Sequence, residues 1–118
     1  MPKPGTVFQI KVDDGNHFWM LISEPKGGKV LTVNVTDARN SPDSPCKLKV
    51  GDHPVIVKPS VIFYRKSREF VAVMVDEQIA QGKSVKQLPD CSPELLQRII
   101  AGAKSADDLT LRFLDYLK

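Results

Sequence analysis

The chain of 118 residues reads as a mainly β fold with C-terminal helices: a small antiparallel β-barrel over residues 1–75, then two or three α-helices over 76–118, in one domain. Three observations predict this. Apolar residues alternate with others through the first third of the chain, the period of a strand with one face turned inward. Turn-forming residues recur between those runs, as expected of short strands closing into a barrel. Beyond Arg68 the apolar spacing lengthens toward that of an amphipathic helix.

The first strand carries Phe8, Ile10 and Val12, the second Phe18, Met20 and Ile22, and the third Leu31, Val33 and Val35. Asp13-Asp14-Gly15-Asn16 separates the first two with an Asp-Gly pair suited to a tight hairpin, because glycine tolerates positive φ and aspartate bonds nearby backbone. Glu24 to Lys29, with Gly27-Gly28, joins the next pair. Asp37 to Pro45 is rich in proline and turn formers and reads as a long exposed loop. Short strands are then expected at Lys47–Val50, at Val55–Val57 and at Ser60–Tyr64, entered through Lys58-Pro59. Phe70–Val75 fits a strand passing into a short helix that ends at Gly82. Ser92-Pro93-Glu94 opens a helix, with serine as N-cap, proline at the first helical position and an acid near the positive end of the dipole. Leu95, Leu96, Ile99 and Ile100 form its stripe, and Gly102 is its expected stop. A last helix is expected from Ser105, with Leu109, Phe113, Leu114 and Leu117 facing inward.

Composition is that of a globular protein, 42% hydrophobic and 26% charged. No apolar run reaches the roughly 18 residues of a membrane helix, and the first residues lack the apolar stretch of a secretion signal, so a cytoplasmic protein is expected. Two cysteines, Cys46 and Cys91, are too few for a disulfide scaffold, and two histidines assemble no zinc-ligand spacing. No metal or cofactor is expected. Net charge is +3, but Lys47, Lys49, Lys58, Arg65, Lys66 and Arg68 face only Asp52 between Cys46 and Arg68. Such a run suits an anionic partner such as nucleic acid, and it is also what a solvated basic face looks like.

Polar residues interrupt the strands in a pattern. Thr32, Asn34 and Thr36 share one face, opposite Leu31, Val33 and Val35, because alternate residues of a strand point the same way. His17, Trp19 and Leu21 share a face of the neighbouring strand, so an imidazole and an indole border that stripe. His53 stands in the turn Gly51-Asp52-His53-Pro54, where an imidazole suits proton transfer near neutrality or a purely structural role. Metal-free RNA cleavage needs a base for the 2′-hydroxyl, an acid for the leaving 5′-oxygen and cations for the phosphorane. His17, His53, Lys58 and Arg65 are residues of those types, with Thr36 and Ser60 as phosphate donors.

Order and spacing then resemble the MazF/PemK family of toxin endoribonucleases, small SH3-like barrels with attached helices. The resemblance is carried by Gly5-Thr6-Val7-Phe8, the strand His17 to Ser23, the strand Val30 to Thr36, the segment Pro59 to Arg65, and the helix Ser92 to Ala101. It spans nearly the whole chain on loose motifs. Thr36 resembles that family's catalytic threonine, whereas His17-Phe18 stands where the family has Arg-Pro, its principal cation at the phosphate. The Gly-Asp-His-Pro block is similar to barrel proteins of mobile elements. The resemblance implies a homodimer, single-stranded RNA as substrate and an antitoxin that covers the RNA groove. Thr36 is carried over from the family; His17 and His53 join it as catalytic candidates by residue type, and Trp19, Asn34, Lys58, Ser60 and Arg65 are the substrate-binding candidates. A second reading is a non-catalytic SH3-like module that binds a protein partner along Trp19, Phe63 and Tyr64. A third is an inactive relative serving as an immunity or regulatory factor.

Overall fold

In a computed structural model, which describes residues 3–12 and 15–118, the strands are β1 (Val7–Val12), β2 (Gly15–Leu21), β3 (Lys29–Asp37), β4 (Lys47–Leu48), β5 (Ser60–Val71) and β6 (Val85–Leu88). The helices are α1 (Ala72–Gln81) and α2 (Pro93–Ser105), with 3-10 turns at Ala38–Asn40 and Leu111–Leu117. These strands form the small antiparallel SH3-like barrel expected, hydrogen-bonded in the order β4-β5-β3-β2-β1-β6, with β4 and β6 as its edges. The hairpin expected at Asp13-Asp14-Gly15-Asn16 turns on residues outside those described. Among the described residues no helix is long and apolar enough to cross a membrane.

The sheet buries both faces. On the inner face Val7, Met20, Leu31, Val33, Ile62 and Tyr64 pack against Leu95, Ile99 and Ala103 of α2 and against Phe113. On the outer face Phe8 and Trp19 meet Val75 of α1 and Val85 of β6, with Ile10, Phe70 and Ile79 packed around them. Phe70 stands edge-on to both Phe8 and Trp19, with ring centroids 5.7 Å apart in each pair. The alternating residues of β1 therefore serve two cores rather than one.

Several boundaries follow the sequence. The Ser92 hydroxyl accepts from the Leu95 amide at 3.1 Å, and Pro93 opens α2. Gly82 ends α1 in the left-handed region, φ 66°. Others differ for local reasons. Val55–Val57 is not a strand: the Ile56 amide turns back to the His53 carbonyl, and the Val55 amide is taken by the His53 ring. The strand from Lys47 stops at Leu48 because Asp52 captures the Lys49 amide. β6, which the sequence did not announce, sends Val85 and Leu88 to opposite cores and so shows no alternation. Ser105 begins no helix; its hydroxyl donates to the Gly102 carbonyl at the end of α2, and the final segment is the 3-10 helix Leu111–Leu117.

Gly102 lies inside α2 rather than beyond it. Tyr64 is buried and donates its hydroxyl to the Ile99 carbonyl at 2.7 Å. A methyl group on Gly102 would collide with that hydroxyl and lie 3.1 Å from Cys46 Cβ. Glycine to alanine in a helix normally gains about 1 kcal/mol. Here overpacking of roughly 1–3 kcal/mol opposes that gain. Gly102→Ala is expected to lower the urea midpoint, and a raised midpoint would refute the close approach.

The C-terminal 3-10 helix is tied to the sheet through Glu69, which accepts from the Tyr116 hydroxyl at 2.6 Å and from Arg112. These partners, Tyr116 first, hold the Glu69 carboxyl below its ordinary range. A depressed carboxylate stabilises the fold above its unfolded pKa and loses that contribution as pH falls through the folded value. Glu69→Gln is therefore expected to show less acid destabilisation below about pH 4.3 than wild type; identical pH–midpoint curves would show that the tie carries no stability.

Candidate functional site

α1 covers only part of the outer face. Beyond its reach β2, β3 and β5, with the segment leading into β5, enclose a concavity of about 980 Å³. Register explains what lines it, since directly paired residues on adjacent strands share a face. One cross-strand row is Leu21–Thr32–Arg68 and the next is Trp19–Asn34–Phe63. Thr36, paired with Val61, follows. Among the eight candidate residues, His17, Trp19, Asn34, Thr36, Lys58 and Ser60 line this groove. His53 and Arg65 do not.

β5 changes face on its way along the groove. Between the Asn34–Phe63 and Thr32–Arg68 pairs β3 supplies one residue, Val33, while β5 supplies Tyr64, Arg65, Lys66 and Ser67. This bulge inverts the alternation. Counting by twos from Phe63 puts Arg65 in the groove; the bulge puts Lys66 and Arg68 there instead. Tyr64, proposed from sequence as a groove aromatic, faces the α2 core. Arg68 is fixed at both ends. Its carbonyl accepts from the buried Thr32 hydroxyl at 3.0 Å, and its guanidinium lies 5.6 Å from the Trp19 ring centre and 5.1 Å from that of Phe70.

At the other end of the groove Asp37 organises the cations. Its carboxylate accepts from Arg39 Nε and pairs with Lys58 Nζ, each at 3.0 Å. The Arg39 side chain, then the Arg39 amide and Lys58, hold this carboxyl well below the usual range. Asp37 is thus a fixed anion at neutral pH, and Lys58 is partly compensated. The Thr36 hydroxyl accepts from Asn40 Nδ2 at 2.8 Å, which leaves its own proton to donate. Ser60 donates to the Lys58 carbonyl at 2.9 Å. Asn34 is buried in the floor and donates Nδ2 to the Phe18 carbonyl at 3.4 Å. Among the described residues no group of three or more His, Cys, Asp or Glu side chains can hold a metal ion.

His53 is buried elsewhere. Nδ1 accepts from the Val55 amide at 3.2 Å, so Nε2 carries the proton that meets the Pro89 carbonyl at 2.6 Å. His53 does not line the groove that holds His17; it staples the turn before β5 to the segment after β6. Of the six lysines and arginines in the basic run, Lys58, Lys66 and Arg68 reach the groove.

No protein-family model and no curated protein matches this chain. Among solved structures it is similar to a chain in the crystal structure of MazE-MazF (Form-II) from Deinococcus radiodurans. The TM-score is 0.57 over 92% of this chain and 97% of the other, at 12% identity. The fold is MazF-like. At that identity the likeness is one of fold.

His53→Ala removes two bonds from a buried ring and is expected to cost roughly 1–3 kcal/mol in urea unfolding. An unchanged midpoint would return His53 to the list of residues kept for chemistry.

Proposed function

We propose that this MazF-like fold binds single-stranded RNA in the outer-face groove and cleaves it without a metal cofactor, as the toxin of a toxin-antitoxin or mobile-element system. The observation that carries the reading is the gathering of His17, Thr36, Lys58 and Lys66 beside the rings of Trp19 and Phe63 in one concavity. Cations along an open groove follow a phosphate backbone, and aromatic faces accept unpaired bases. His17 takes the 2′-hydroxyl proton, the 2′-oxygen attacks phosphorus, and the 5′-oxygen leaves with a proton from solvent. The Thr36 hydroxyl and the lysines hold the charge that develops on the phosphorane. The fold likeness to a chain from a MazE-MazF complex supports a protein partner, and the family resemblance adds a second copy and an antitoxin covering the groove to the reading.

Val57, 78% exposed, and Val55 give the groove one apolar wall, which favours the alternative of an extended peptide as occupant. Salt separates the two: affinity for RNA falls linearly with salt on logarithmic axes, whereas an apolar peptide responds little. Purified protein with mixed-sequence RNA in EDTA is expected to yield cleavage, reduced on the order of 10²- to 10⁴-fold by His17→Ala and reduced also by Thr36→Ala. Salt-dependent binding without cleavage would leave an RNA-binding protein; salt-insensitive binding would favour the peptide.

A further inference from the structure

Resting on the RNA reading, we propose that Arg68 anchors the phosphodiester next to the reacting one, one nucleotide along the strand. Among the described residues its guanidinium has no carboxylate partner, whereas Lys58 is tied to Asp37. Its position is set by Thr32 through the backbone and by Trp19 and Phe70 through the side chain. A guanidinium lying near two ring faces has already lost much of its freedom, and its planar fork matches a phosphate with two parallel bonds.

Position on the sheet separates Arg68 from the chemistry. Thr32, its partner, is four residues from Thr36 on β3, which is roughly 13 Å along the strand. The guanidinium reaches back over Trp19, in the intervening row. That row also presents Phe63, a half-buried ring on which the base between the two phosphates can stack. Thr36 and His17 thus meet one phosphate, the Trp19–Asn34–Phe63 row takes a base, and Arg68 holds the following phosphate.

The test is equilibrium binding of 2′-O-methyl oligonucleotides, which cannot be attacked through the 2′-oxygen, to wild type, Arg68→Ala and Arg68→Lys. Trp19 fluorescence checks folding. For a strand of eight or more nucleotides Arg68→Ala is expected to lower affinity roughly ten- to hundredfold and to reduce the salt slope by about 0.7. Arg68→Lys is expected to restore the slope but not the full affinity. A dinucleoside monophosphate, with a single phosphodiester, is expected to bind all three proteins equally, and a trinucleotide with two phosphodiesters to separate them. Loss of dinucleotide binding in Arg68→Ala would overturn the assignment by placing Arg68 at the reacting phosphate. Unchanged affinity for the long strand would overturn it outright. Failure of wild type to bind any strand would instead refute the RNA reading and, with it, the anchor.

Discussion

The structure turns on the burial of one phenol. Tyr64 fills the space between the sheet and α2, and its hydroxyl reaches the Ile99 carbonyl inside the helix. Burial, before any other influence, pushes this phenol far above its ordinary pKa, so it stays a neutral donor. Helix and sheet come close enough for that bond because Gly102 has no side chain. Ile62 and Tyr64 thereby commit the first half of β5 to the inner core, and Phe63 faces outward. The far end of β5 must still pair Phe70 with Val30 and place its ring among Phe8 and Trp19. Strict alternation cannot satisfy both ends. The bulge at Tyr64–Ser67 resolves the conflict, and its consequence is the aim of Arg68.

Two covered faces explain why one polar stripe can be buried without penalty. Thr32 is fully buried and donates to the Arg68 carbonyl, inside the irregular stretch where the ladder is broken. Asn34, in the groove floor, donates to the Phe18 carbonyl. Each polar group thus has a backbone partner, the condition under which burial is tolerated. Asn34, which makes the groove floor polar, also ties β3 to β2.

This accounts for what the sequence showed and what it hid. Period-two alternation located β1, β2, β3 and the start of β5, and it placed Thr36, Asn34, His17 and Trp19 on shared faces, because these depend on local geometry alone. That Lys66 and Arg68 line the groove and Arg65 does not could not be read from the sequence, because a bulge leaves no mark in composition; the nearest clue is the conflict between Tyr64 facing one core and Phe70 the other. Gly102 resembled a helix stop because a glycine needed for close packing and one needed for a cap are identical as letters. His53 suggested chemistry because an imidazole used for two backbone bonds cannot be distinguished, in sequence, from one held ready for proton transfer.

The split of the basic run adds a division of labour. Lys47, Lys49 and Arg65 are exposed but outside the groove, while Lys58, Lys66 and Arg68 line it. For a polyanion approaching this face, charges of the first kind act through the long-range field, which sets encounter rates and is screened beyond about 10 Å at 0.1 M salt. Charges of the second kind act on contact, where release rates are set. Within the groove the cations are again unequal. Lys58 shares Asp37 with Arg39, so exchanging that carboxylate for a phosphate costs it an existing pair. Among the described residues Arg68 has no carboxylate to give up, and its present partners are rings that a bound phosphate need not displace. On the proposed RNA reading, an anion entering the groove therefore meets its firmest hold at the Arg68 end, and the Thr36 end is left freer to adjust as charge moves.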